Sequence, residues 1–224
     1  MVFDSETNSI LARDFKNSET KVLFTIPSDI SKKHQVYDVK LSPDKNKIAV
    51  TIPNPMSLYV FSLEGETFYK GEGIADTVTR NNGTESIYLQ WLNEHTVIFQ
   101  DYRDIVKLDI ETGMKEMLIK DAQEPVVCPD SSLMVVKRHI DRSNTYFLFD
   151  EIKKKEITLG TDLDNIYFIN KNKLIYNEGD KIILFDTALS TKEMVGNGHI
   201  IGISPDGSKV YYVNDQYVVD RYYY

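Results

Sequence analysis

The chain has 224 residues, with 34 acidic against 26 basic for a formal charge of -8, and 42% of it is hydrophobic, including 14 Tyr and 10 Phe. This is the composition of a globular protein rather than a disordered one. Acidic and basic residues are interspersed along the whole chain without the Lys/Arg stripe that a phosphate backbone requires, and no apolar run approaches the roughly 20 residues of a membrane span, which argues against nucleic acid as a partner and against a spanning helix.

In chain order, "MVFDSETNSILARDFKNSETKVLF" reads as three short strands, a partial unit over 1–30, with neither the basic nor the apolar region of a signal peptide. A unit over about 35–70 opens with the hairpin "LSPDKNKIAV" and continues through "LYVFSLEGETFY". The stretch "GEGIADTVTRNNGTES", 71 to 86, reads as the longest connection; it holds Arg80 and an "NGT" that fits a glycosylation acceptor, a pattern common by chance. The unit over 84–120 carries "WLNEHTVIF" and "IVKLDIETGMKEML", with Trp91 on a first strand, where an aromatic packs between neighbouring units. Units over 124–160 and 163–196 repeat the pattern with "VCPDSSLMVV" and "YFLFDEIKKKEITL", then "FINKNKLIY" and "IILFDTALSTKEMV". A last partial unit, 198–224, contains "ISPDGSKVYY" and ends in "RYYY".

The five hairpins recur about every 40 residues, the period of a propeller blade. Pro43, Pro129 and Pro205 pre-set the turn, the following Asp bonds back to nearby amides, and Gly207 supplies a permissive dihedral. At Asn93 and Asn170 another turn former replaces Pro. Three strands, four units of four and three more sum to about 22, between five and six blades. The expected fold is all-β: a single β-propeller domain, 1–224, of four-stranded antiparallel blades, five or six in number, closed by strands from both termini so that no edge is exposed.

"LSPDKNKIAV" and "ISPDGSKVYYV" resemble the Ser-Pro-Asp-Gly repeat of TolB-like β-propellers, a WD-like propeller family. The resemblance spans nearly the whole chain, although two copies are close and three are degenerate. It implies a scaffold used for protein contacts, or an accessory domain of peptidases or lyases, and it carries no catalytic residue.

The nucleophile-elbow reading of "GISPDG" fails, because Pro205 follows Ser204 where the elbow needs Gly-x-Ser-x-Gly on a strand-to-helix turn. Cys128 takes the same repeat position as Ser42 and Ser204 and reads as a semi-buried packing residue; being single, it excludes an internal disulfide. His34, His95, His139 and His199 are scattered without ligand spacing, and "TDLDN" at 161 to 165 reads as a solvated loop, so no metal, catalytic residue or cofactor is expected. In a propeller, the loops inside each middle hairpin and those between blades open on one face. The candidate partner-binding set there is Arg80, Asp101, Tyr102 and Arg103, with Arg138, His139, Asp141, Arg142, Asp180 and Asp215. The expectation is a non-catalytic protein-binding module, a soluble monomer, cytoplasmic or an excised extracytoplasmic domain of a bacterial protein. The alternatives are an accessory propeller of a larger enzyme, with this chain a piece of it, and a sugar or peptide site in the central channel.

Overall fold

The computed structural model describes residues 2–13, 19–31, 36, 38–52, 56–75, 78–79, 85–86, 88–128, 131–204, 207–214 and 219–223. The chain divides into two compact units, Met1–Met117 and Leu118–Tyr224. In the first, β1 (Val2–Asp4), β2 (Ser9–Arg13) and β3 (Thr20–Thr25) form a three-stranded sheet, followed by one helical turn, α1 (Ser28–Ser31). Next comes a four-stranded sheet of β4 (Asp38–Leu41), β5 (Lys47–Ile52), β6 (Met56–Ser62) and β7 (Thr67–Ala75). The short pair β8 (Val78–Thr79) and β9 (Glu85–Ser86) precedes a sheet of β10 (Leu89–Trp91), β11 (Thr96–Asp101), β12 (Asp104–Asp109) and β13 (Lys115–Ile119), whose last strand crosses the division.

In the second unit β14 (Gln123–Val127), β15 (Leu133–Ile140), β16 (Ser143–Asp150) and β17 (Lys155–Thr161) make one four-stranded sheet. A second contains β18 (Leu163–Asn170), β19 (Lys173–Glu178), β20 (Lys181–Asp186) and β21 (Thr191–Asn197). A third has three strands, β22 (His199–Ile203), β23 (Lys209–Val213) and β24 (Val219–Tyr223). Each sheet is an antiparallel meander in chain order, and no helix among the described residues is long and apolar enough to cross a membrane.

Side-chain alternation explains why the central strands are apolar on both faces. In β5 every residue is buried: Ile48, Val50 and Ile52 enter a core with Ile10, Phe24 and Phe61, while Ala49 faces the other way into a core with Leu58, Val97 and Phe99. In β19, Leu174 and Tyr176 pack with Val135 and Leu148, whereas Ile175 between them packs with Ile200 and Val210. The fourth strands behave differently, because "KEML" in β13 and "TKEM" in β21 are exposed or nearly so. Charge on such an outer strand keeps it from pairing with another chain.

The Ser-Pro-Asp turn owes its form to the serine. Ser42 Oγ accepts the Lys47 N–H at 2.9 Å and donates to Asp44 Oδ1 at 2.5 Å, and Ser204 Oγ accepts the Lys209 N–H at 2.9 Å. Cys128 sits where the serines do, with its N–H on the Leu133 carbonyl at 2.9 Å, and is fully buried rather than semi-buried. Trp91 is 8% exposed on β10 and donates from Nε1 to the Lys40 carbonyl on β4 at 3.1 Å, joining two sheets of the first unit.

Two connections are shorter than the sequence reading has them. Residues 71–75 continue β7, whose pairing with β6 shifts register twice, and 78–79 pairs with 85–86; the "NGT" and Arg80 lie outside the described residues. "TDLDN" is strand rather than loop: Asp162, at φ 50°, alone links β17 to β18, and Leu163 is buried.

Candidate functional site

The middle hairpins turn at the same edge as the links between sheets, and backbone hydrogen bonds hold the two together. In the second unit the β15–β16 turn is Asp141–Arg142, both at positive φ (49° and 70°), the geometry of a two-residue type I′ hairpin. Just past it, the Asp162 N–H between sheets donates to the Asn144 carbonyl at 2.8 Å. The β19–β20 turn, Gly179–Asp180, takes its positive φ from Gly179, and its Asp180 carbonyl accepts the Gly198 N–H at 2.7 Å. Gly198 has no substitute: at φ 129° an added Cβ would lie 2.3 Å from the Val213 carbonyl oxygen.

Asn177 locks this edge from below. Its Nδ2 donates to the Gly198 carbonyl at 2.6 Å, its Oδ1 accepts the Ile200 N–H at 2.9 Å, and the residue is 1% exposed. A buried amide with donor and acceptor both used fixes the link between β21 and β22 on β19. The sequence reading takes Asp180 and passes over Asn177; the available signal is one amide at the end of an apolar run, two residues before a Gly-Asp turn.

In the first unit the β11–β12 turn presents Tyr102 and Arg103, both exposed, with Tyr102 at φ 54°. A left-handed conformation costs a non-glycine residue roughly 1–2 kcal/mol, so the surroundings must hold it. Buried Gln100 donates from Nε2 to the Tyr102 carbonyl at 2.9 Å. Asp101 pairs with Lys115 at 2.7 Å, and the same ammonium donates to the Ile74 carbonyl of β7 at 2.6 Å, tying the turn to the preceding sheet.

The remaining expected residues differ in employment. Arg138 reaches across β16 to Glu156 on β17 in a two-pronged pair, 2.6 and 2.7 Å, and lies 5.2 Å from the Phe147 ring centroid. His139 is exposed with Nδ1 3.4 Å from Asn144 Oδ1. Asp141 and Arg142 are exposed, and exposed Asp180 faces His199 at 3.5 Å. Asp215 lies outside the described residues, as Arg80 does. Thus Asp101, Tyr102 and Arg103 share one turn of the first unit, and His139, Asp141, Arg142 and Asp180 share the loop edge of the second. Among the described residues no three His, Cys, Asp or Glu side chains gather where they could hold a metal ion.

No protein-family model matches the chain, and no curated protein sequence matches it. Solved structures do. TolB from Acinetobacter baumannii superposes with a TM-score of 0.57 at 14% identity, over 94% of this chain and 56% of that one. A chain of a mitotic checkpoint complex gives 0.62 at 12% identity, over 97% and 70%. The fold is a TolB-like, WD-like propeller. An oligogalacturonate lyase from Vibrio parahaemolyticus shares this propeller likeness, with a TM-score of 0.61 at 9% identity, over 96% of this chain and 71% of that one. Against TolB, the present propeller chain spans little more than half of the other's length.

Proposed function

We propose that this chain is a non-catalytic propeller scaffold that binds another protein through the loop edges of its sheets. The observation that carries the reading is the Tyr102–Arg103 tip, an exposed aromatic at positive φ beside an exposed arginine, held by Gln100 and the Asp101–Lys115 pair. Tyr and Arg are the residue types enriched among interface hot spots, and pre-ordering them lowers the entropy lost on docking. His139, Asp141, Arg142 and Asp180 are the corresponding contacts of the second unit, and Arg80 and Asp215 join the set by their place in the repeat. Membership of a mitotic checkpoint complex, stated for one structural neighbour, supports a protein-contact role for propellers of this kind.

Recovery of partners from a native extract tests this. Tyr102→Ala, Arg103→Ala and Arg142→Ala combined should weaken capture at least about 30-fold, as expected when one hot spot of roughly 2 kcal/mol is lost. Ile152→Ser with Leu189→Ser, exposed residues on turns at the other edge of the second unit, should leave capture unchanged. Equal recovery by all three proteins refutes the site.

The reading includes a ring of five or six blades closed by the terminal strands. Deleting residues 1–26 does not test closure, because Ile10, Phe24 and Ile26 belong to the core beneath β5. Spin labels at Val22 and Lys209 do, since adjacent sheets would hold them within roughly 20 Å, and a much longer distance refutes closure. A second reading, an accessory propeller of a larger peptidase or lyase, is favoured by the likeness to the oligogalacturonate lyase. A catalytic domain in the complete reading frame would support it.

A further inference from the structure

At the other edge of the second unit, away from the loops just described, a cavity of about 350 Å³ opens between the first and second four-stranded sheets. That volume falls in the range of small-ligand pockets, roughly 300–1,000 Å³. Ser131 and Ser132, just before β15, and the β16–β17 turn form one wall, and the β18–β19 and β20–β21 turns form the other. Leu133, Leu148 and Ile157, which continue the core between these sheets, make an apolar floor.

The rim is basic in an acidic protein. Lys153 and Lys155 reach it from one wall and Lys171 from the other, against a chain total of -8. Asp150 is the one carboxylate in the lining, and it is fully engaged: it accepts from Ser132 Oγ at 2.9 Å, the Ile152 N–H at 3.0 Å and the Lys153 N–H at 3.1 Å, and pairs with Lys153 Nζ at 3.2 Å. Lys155 and Lys171 face no carboxylate within ion-pair distance among the described residues. By contrast Lys40, Lys107, Lys115, Lys137 and Lys192 each pair with an Asp or Glu. Of the lining hydroxyls, Ser132 donates to Asp150 and Thr187 to the Lys171 carbonyl, whereas Ser131 Oγ accepts the Leu133 N–H at 2.9 Å, which leaves its own proton to donate. Two unpaired positive charges on facing walls focus the local field on whatever enters between them.

We propose that this cavity binds a small organic anion, with an acidic headgroup held between Lys155 and Lys171 and an apolar stem against Leu133, Leu148 and Ile157. Nothing in this depends on the loop edge, so the two proposals fail separately. The probe is phenyl phosphate, titrated calorimetrically into the full chain at low salt, with phenylacetate to compare a carboxylate headgroup and with phenol and inorganic phosphate as the two halves.

Saturable binding of phenyl phosphate or phenylacetate is expected, weakened at least about tenfold by Lys155→Gln with Lys171→Gln and by salt that screens the charges. Lys45→Gln with Lys181→Gln, exposed lysines that are not part of the cavity lining, should bind as the wild type does. Phenol and inorganic phosphate should each bind at least about tenfold more weakly, since each lacks one half of the recognition. Both substituted lysines are exposed, and matching thermal unfolding of the variants establishes that they fold. The proposal is overturned if neither organic anion binds saturably at millimolar concentration, if the double variant binds as tightly as the wild type, or if phenol alone matches phenyl phosphate.

Discussion

Replacing Asn177 by Leu tests whether one buried amide secures the loop edge of the second unit. Leucine is close in volume, so the cavity it leaves is small and the loss is polar. Two buried backbone groups lose their partners: the Gly198 carbonyl, held at 2.6 Å, and the N–H of Ile200, held at 2.9 Å in a residue 2% exposed. Each orphaned buried group costs about 1–3 kcal/mol, and the sum, about 2–6 kcal/mol, is large against the 5–15 kcal/mol of a typical domain. Asn177→Asp separates the two terms, because its carboxylate still accepts from Ile200 but repels the Gly198 carbonyl. Urea unfolding followed by tyrosine fluorescence and by circular dichroism gives the change, read from the midpoint at constant slope. A loss below about 0.5 kcal/mol for Asn177→Leu would refute the argument, since that is the scale of a surface substitution.

Tyr176 is fully buried, and its hydroxyl has no hydrogen-bond partner among the described residues; burial, with Glu178 nearby, pushes its ionisation well above the ordinary phenol range. Tyr176→Phe should therefore raise stability by about 1 kcal/mol or more, read as a higher urea midpoint at constant slope, and a fall would show that the hydroxyl is satisfied. Arg138→Ala should lower stability by about 1 kcal/mol through loss of the Glu156 pair and the Phe147 contact, while partner capture stays unchanged. Asp150 gives a pH signature. Burial opposes its charge, but the Lys153 N–H, the Ser132 hydroxyl and the Lys153 ammonium outweigh that and hold its carboxyl below the ordinary value. A depressed folded value means that its stabilisation is complete above the unfolded value of about 3.9 and is lost as pH falls through the folded one. Urea midpoints measured from neutral pH down into that acid range should fall less steeply for Asp150→Asn than for the wild type, and parallel curves would refute the assignment.

The parts of the fold that could be read in the sequence are those fixed within a few residues. The Ser42 and Ser204 turns recur because one hydroxyl closes a turn on an N–H five residues later, a local bond that leaves the same spacing wherever it is used. The apolar runs of β5 and β19 mark strands covered on both faces. What escaped depends on distant pairing. Residues 71–75 continue a strand because β6 draws them into register, and Asn165, at φ 51°, bends a strand that reads as an acidic loop. Of the candidate site, the sequence offers a list of polar turn residues and not a division of labour among them. Arg138 is engaged by a glutamate 18 positions on, and the lysines of "IKKKE" gain their setting from Lys171 on the next sheet.

The alternation of Ile175 and Tyr176 on β19 makes each central sheet a party wall. Residues adjacent in the chain furnish different rooms, and residues far apart in the chain share one. Removing a sheet would therefore lay open two interiors at once, whereas inserting a copy beside it adds one wall and one interior of the same construction. A chain built this way resists excision of its middle and tolerates lengthening, and duplication of a forty-residue segment is the change its architecture accommodates with least disturbance.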